Sequence, residues 1–324
     1  MDVFDTITQQ LVAWATAIGL EPTRLKELAY GTDFGKSLWD LVRDLYLNPY
    51  VMLLVLPFWF TLGWFRPASD DGRRKAPHIA LDFVYPILSI PIQIGVAVAT
   101  IALIQQAFET WLPFLSTGLL DDQPIAVQAL GAFLITDFMF YVAHWLKHKV
   151  PWLWYFHAVH HSQRYVNPLT TLRNHPFEGV INAAIKTVPI AMIGGSYPAF
   201  ALFVFFNNMW GYFIHADVRI NWGPIKYVLV TPQNHRFHHT IEPALIDRNF
   251  GERLTLWDWM FGTLHTGFDD YTATGVPGCE WIEETSTTPH GLVGAWARQM
   301  VFPFWMIGAD IARYFRTRRA ALRV

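Results

Sequence analysis

The stretch Ile125–Lys149, IAVQALGAFLITDFMFYVAHWLKHK, decides how this chain is to be read. From Ile125 to Trp145 it is apolar except for Asp137 and His144, and it ends on an H-x3-H pattern, His144 and His148, interleaved with Lys147 and Lys149. A spanning helix needs about 20 mostly apolar residues to cross about 30 Å of hydrocarbon. The stretch therefore reads as a membrane span that delivers two histidines to one bilayer surface.

Composition supports a membrane protein. Of 324 residues, 52% are hydrophobic, 16% aromatic and only 15% charged, whereas a soluble domain carries about a quarter charged residues. The net charge of −2 leaves no basic face for nucleic acid. A single cysteine, Cys279, rules out an internal disulfide or a thiolate cluster, so a metal site here needs nitrogen and oxygen ligands. The N-terminus MDVFDTITQQ has no basic region before its first apolar run, which argues against a cleaved secretory signal.

Outward from the first stretch, Tyr50–Phe65 and Phe83–Phe108 read as further spans, and Gly179–Ile193 and Pro198–Ile214 flank the breaker GGSYP as the arms of a helical hairpin. Trp296–Phe315 mixes apolar and charged residues and reads as interfacial. The expected fold is all-α: an integral membrane helical bundle of about four spanning helices, hairpin included, under a histidine-rich helical cap. Lys and Arg accumulate in short cytoplasmic loops. The loop FRPASDDGRRK holds four basic residues, and Glu109–Gln123 holds none. The third span then runs inward and puts the histidine motifs on the cytoplasmic side. Three segments follow: 1–46, non-cytoplasmic and amphipathic; 47–270, membrane and catalytic; 271–324, a cytoplasmic or interfacial tail.

Eight of the thirteen histidines fall into three boxes: HWLKH (His144, His148), HAVHH (His157, His160, His161) and HRFHH (His235, His238, His239). On a helix, positions i, i+3 and i+4 share a face, so each box can aim its imidazoles at a common point. Neutral imidazole binds Fe, Zn, Cu and Ni. Eight ligands exceed what one ion needs, and two metals sharing one cluster is the economical reading. His175 and His215 open and close the hairpin and could complete the cluster. His78, His265 and His290 read as solvated surface. Asp137, seven residues before His144 on the same helical face, is expected to accept an imidazole N–H, and Tyr141 either joins that network or anchors the span. Trp152, Trp154, Tyr155 and Trp210 could line a substrate tunnel, though they fit an interfacial belt at least as well.

The order of the boxes around a hairpin resembles the fatty acid hydroxylase and sterol desaturase superfamily. So do Asp137 and Tyr141 ahead of His144, the run Arg173-Asn-His175-Pro-Phe-Glu178, and the tail from Asn249-Phe-Gly251 through Trp257-Asp258 to Phe261-Gly262-Thr263. The resemblance covers about 130–265. It implies a membrane-embedded non-haem diiron oxygenase that uses O2 and two external electrons to hydroxylate a lipid-like substrate, a fatty acyl chain, sterol or other terpenoid. It implies two iron ions held by His144, His148, His157, His160, His161, His235, His238 and His239, with His215 as the histidine that follows the hairpin. His175, Asp137 and Tyr141 stand as possible ligands or supports of ligands. Trp145 replaces the Arg often found after the first histidine. No haem-binding module of the HPGG type is fused, so electrons are expected from a separate ferredoxin, haem protein or reductase. Desaturation and ether-lipid oxygenation at the same site are the alternatives. A zinc hydrolase would want HExxH, which is absent, and a transporter would place its ligands at the bilayer midplane.

Overall fold

The computed structural model describes residues 49–69, 76–194, 206–207, 209–267, 271–283 and 286–321. The expected 1–46 segment, most of the basic loop and residues 195–205, where the sequence predicts the hairpin tip, lie outside that set. Among the described residues every regular element is helical, and β-structure is confined to two isolated bridges, Leu229 with Leu254 and Thr240 with Thr274.

The helices are α1 (Pro49–Phe65), α2 (Ala76–Asp82), α3 (Val84–Trp111), α4 (Ile125–Lys149), α5 (Pro151–His161), α6 (Pro176–Ile193), α7 (Pro232–His238), α8 (Leu256–Met260) and α9 (Pro289–Ala321). Two helical stretches, Ile79–Trp111 and Ile125–Lys149, are long and apolar enough to cross a membrane. A core helix of a soluble protein passes the same test of length and composition, but it would be mostly buried. Here only 20% and 33% of the most apolar windows is buried. Ile87, Leu103, Ile125 and Leu130 face outward, as lipid-facing side chains do. The other expected crossings are shorter. α1 has 17 residues with Leu54, Phe58 and Trp64 outward, and α6, the first hairpin arm, has 18.

Three local devices position the histidines. Between α4 and α5 a single extended residue, Val150, precedes Pro151 at the first position of α5. Proline disfavours helical geometry in the residue before it and pre-sets helical φ at its own position. The chain therefore turns sharply between Lys149 and Pro151, and α5 packs against α4. Next, the segment after the hairpin is tied to the end of α1: Ser69 donates its N–H and hydroxyl to Asp217 at 3.0 and 2.9 Å, and Arg219 N–H donates to the Arg66 carbonyl at 2.7 Å. Gly63 allows this approach, since a Cβ there would stand 3.0 Å from the Asp217 carbonyl oxygen. Finally, α7 opens on a capping box, with Asn234 Oδ1 accepting from the Thr231 N–H at 3.1 Å, and on Pro232.

Far from hanging free, the C-terminal region packs as α9 onto α5 and α2. Leu81, Tyr85, Val159 and Ala295 form one buried cluster, and Ala158, Ile282 and Phe302 another. Trp296 donates to Ser89 at 2.7 Å, and Gln299 donates to the Ile282 carbonyl at 2.6 Å. The helix that carries HAVHH is thus backed by residues about 130 positions later.

Candidate metal centre

Nine of the predicted site histidines converge, and they do so as two groups. His144, His148, His157, His161 and His238 form one; His160, His215, His235 and His239 form the other. Within each group a ring nitrogen from every residue lies within 4.8 Å of all the others. The boxes divide between the groups in a crossed way. HAVHH sends its i, i+4 pair, His157 and His161, to the first group and its middle member, His160, to the second. HRFHH sends the pair His235 and His239 to the second and the middle member, His238, to the first. Rings of His161 and His239 stack where the groups meet, 4.3 Å between centroids.

The outer nitrogens are pinned. His144 Nδ1 donates to the Phe250 carbonyl (2.9 Å), His238 to that of Arg248 (3.0 Å), His160 to that of Arg173 (3.3 Å) and His215 to that of Gly211 (2.8 Å). His148 donates to Asp247 at 3.2 Å and His157 to Glu178 at 2.9 Å. Carbonyl and carboxylate oxygens only accept, so the proton of each of these imidazoles is on Nδ1 and Nε2 presents a bare lone pair.

Those lone pairs have no ordinary partner. His144 Nε2 and His148 Nε2 are buried with no hydrogen bond. His160 Nε2 and His215 Nε2 face each other at 3.2 Å with no proton between them. Protonation is no remedy. Burial, and then the neighbouring imidazoles, hold His160, His161, His235 and His239 well below the ordinary histidine value, and burial brings His215 down to about 4. A metal cation removes the conflict. Two nitrogens bound to one ion at about 2.1 Å and at right angles are about 3.0 Å apart. The Nε2 pairs His235–His215, His239–His235, His238–His161 and His161–His157 stand at 2.9, 3.1, 3.1 and 3.2 Å. The donor set fits two metal ions.

A supporting layer surrounds the histidines, built largely from residues of the motifs read in the sequence, with Asp82, Asp247 and Arg248 added by the fold. Glu178 is fully buried; one oxygen accepts from both His157 and Lys147, the latter at 3.0 Å. The loop 247–250 supplies three acceptors to the first group: the Asp247 carboxylate and the carbonyls of Arg248 and Phe250. Asp247 (φ 65°) and Asn249 (φ 55°) occupy the left-handed region that makes this possible. The hydrogen bonds from His148 and Lys149 bring the Asp247 carboxyl down to about 2. Asp258 clamps the same loop, accepting from the Phe250 and Gly251 N–H groups at 2.8 Å each and from Thr263 at 2.6 Å. Gly251 is required there, because a Cβ would stand 2.6 Å from the Leu254 carbonyl oxygen. On the other side the fully buried Arg173, paired with Asp82 at 3.1 Å, fixes the carbonyl that His160 uses.

Three expectations are altered. Asp137 does not meet an imidazole; it accepts from Trp257 Nε1 at 2.8 Å and from the Leu254 N–H at 3.2 Å, and pairs with Arg253 at 3.6 Å. Seven residues of helix are about 10.5 Å, too far for the carboxylate to reach His144, so its role is to anchor the loop that does. Tyr141 hydrogen-bonds Thr263 at 3.0 Å, in that same clasp. His175 belongs to neither group: Nε2 bonds the Met300 carbonyl at 3.1 Å and Nδ1 accepts from the Phe177 N–H at 3.2 Å, which seats the start of α6 on α9. Trp154 covers the cluster, its ring 4.9 Å from that of His148. His265 is also outside, packed on Phe237.

Comparison with known proteins adds an independent line. The fatty acid hydroxylase family matches residues 129–263, which enclose all nine clustered histidines. The ornithine lipid hydroxylase OlsE of Rhizobium tropici is 33% identical over 145 residues, 45% of this chain and 44% of that protein. Human alkylglycerol monooxygenase is 35% identical over 133 residues, 41% of this chain and 29% of that protein. A cholesterol 25-hydroxylase-like protein of Danio rerio is 29% identical over 134 residues, 41% of this chain and 53% of that protein. The chain thus spans 44% of the first of these relatives and 29% of the second. No solved structure matches it.

Proposed function

We propose that this chain, which belongs to the fatty acid hydroxylase family through residues 129–263, is a membrane-embedded diiron oxygenase that hydroxylates a C–H bond of a lipid. The balance is R–H + O2 + 2 e⁻ + 2 H⁺ → R–OH + H2O, with the electrons from a separate donor. The observation that carries the reading is the set of buried Nε2 lone pairs turned on one another, with their protons committed to Nδ1 acceptors. Nine neutral nitrogens in two groups, without a thiolate, suit a divalent transition metal.

His144, His148, His157, His161 and His238 would hold one iron, and His160, His215, His235 and His239 the other. The ions supply the O2 and C–H chemistry, which no side chain provides. The protein's contribution is arrangement. Carbonyl and carboxylate acceptors orient six of the nine imidazoles and keep them in the metal-binding tautomer, and burial keeps the cluster unprotonated. α4, α5, α7 and the residues flanking it supply the groups, beside the end of α4, where a chain would arrive from the bilayer. Reductant and protons would arrive from the opposite, cytoplasmic, side.

The test is direct. Protein purified without metal-affinity chromatography is analysed for iron, and lipids from cells with and without expression are compared by mass spectrometry. Gain of one oxygen atom in a lipid is expected, in an iron- and O2-dependent way. Loss of two hydrogens would assign desaturation instead. Absence of iron together with an unchanged lipid profile would overturn the oxygenase reading.

A further inference from the structure

Beside the two histidine groups lies a cavity of about 160 Å3, lined by His144, His157, His160, His215 and His235 among others. It is larger than one water requires, about 10–15 Å3, and smaller than the pockets of about 300–1,000 Å3 that enclose whole drug-sized ligands. It suits the reacting end of a lipid. The rest of the lining is not all apolar. Asn182 of α6 and Asn207 of the returning hairpin arm both belong to it, and the side-chain oxygen of each is buried without a hydrogen-bond partner. A buried amide oxygen left without a partner is costly, which favours a ligand that satisfies it.

The charged side chains around the cavity are paired with one another. Lys147 is bonded to Glu178 at 3.0 Å. Arg253 is paired with Glu252 at 3.0 Å and with Asp137 at 3.6 Å. Both unpartnered amide atoms are acceptor oxygens, and a carboxylate or a phosphate diester, having no proton to give, would leave them unpaired. A bare hydrocarbon would leave both amides unpaired.

Resting on the oxygenase reading, we propose that the group seated in this cavity is an uncharged hydrogen-bonding one, a hydroxyl or an amide, carried by the substrate close to the carbon that is oxidised. The enzyme then acts beside a neutral polar group of a lipid, and neither in mid-chain nor next to a free acid.

The experiment uses the full chain in phosphatidylcholine nanodiscs without O2. Retention of radiolabelled 1-hexadecanol, hexadecane and palmitate, which share one chain length, is measured against empty nanodiscs. Hexadecanol is expected to be retained about 10-fold more than either of the others, the equivalent of one or two hydrogen bonds. The Asn182→Leu/Asn207→Leu protein is expected to lose that preference while keeping its iron, and the milder Asn182→Ala to lose part of it. Equal retention of all three probes, tighter binding of palmitate, or a preference that survives the double variant overturns the inference. Iron content of the same preparations keeps the two readings apart. Iron without hydroxyl preference sinks this inference alone, and hydroxyl preference in protein that never takes up iron sinks the oxygenase alone.

Discussion

The two histidine groups are built from the same boxes yet supported differently. In the first, four of the five imidazoles are backed by two carboxylates, Glu178 and Asp247, and by two carbonyls of the loop 247–250. In the second, His160 and His215 are held through backbone carbonyls, those of Arg173 and Gly211, while His235 Nδ1 and His239 Nδ1 have no hydrogen-bond partner, and three of the four imidazoles line the cavity. A carboxylate partner makes an imidazole more basic than a carbonyl does. The first group is the firmer, more electron-rich site, and the second is the more open one. Crossing of the boxes couples them, because neither can be distorted without moving a helix that serves the other.

The largest expected effect breaks that coupling. His160→Ala and His238→Ala each remove the middle member of a box, and each should abolish lipid oxidation. Metal analysis should show about one of two irons lost in each case, since ligand removal opens the site. Full iron occupancy with wild-type turnover in either variant would remove that residue from the centre.

Glu178→Gln comes next and should act on the first group alone, weakening its metal by about 10–100-fold, the usual effect of removing a ligand's hydrogen-bond partner. Lys147 also loses its counter-ion, and breaking a buried pair costs about 3–5 kcal/mol. The companion variant Lys147→Met/Glu178→Gln balances charge and separates stability from affinity. Chelator titration followed by metal analysis reads the difference; equal loss from both groups would contradict the distinction drawn between them.

Acid should affect the metal-free protein in a defined direction. The folded-state values of His160, His215, His235 and His239 lie below the unfolded histidine value of about 6.5. Unfolded chains then bind more protons than folded ones as pH falls. The stability these groups contribute is present above about pH 6.5 and declines progressively below it. Melting temperatures of metal-free protein between pH 8 and 5 check the sign, and iron binding should flatten the curve.

Gly251→Ala is expected to cost about 1–3 kcal/mol, the usual scale of overpacking. It should shift the first group by displacing the Phe250 carbonyl while leaving the second intact, which spectroscopy of the iron-loaded protein can read. The smallest effect is reserved for His265→Ala, which should leave iron content and lipid product unchanged.

Legibility in the sequence followed the range of the forces involved. α3 and α4 could be read because a membrane span is defined by a local run of apolar side chains, and the boxes because i, i+3 and i+4 share a helical face. Glu178 stood inside a quoted motif without a role, since nothing in Pro-Phe-Glu reveals that His157, 21 residues earlier, lies against it. Asp137 was placed on the right face but given the wrong partner; the helical repeat predicts direction well and says nothing of what packs opposite. The loop 247–250 is marked in the sequence by Asn249-Phe-Gly251, but its role is not legible there, because two of its three contributions are carbonyl oxygens that every residue possesses.

The sequence by itself determined that this chain is helical and apolar enough for a membrane, and that its histidines come in faces suited to metal. Tertiary structure alone decided which histidine joins which group, and which nitrogen of each faces inward. Spacing along one helix is a short-range property written in residue order. The allocation of ligands depends on where α4, α5, α7 and the end of the hairpin cross, and on backbone oxygens that become acceptors only when the folded chain brings them to an imidazole.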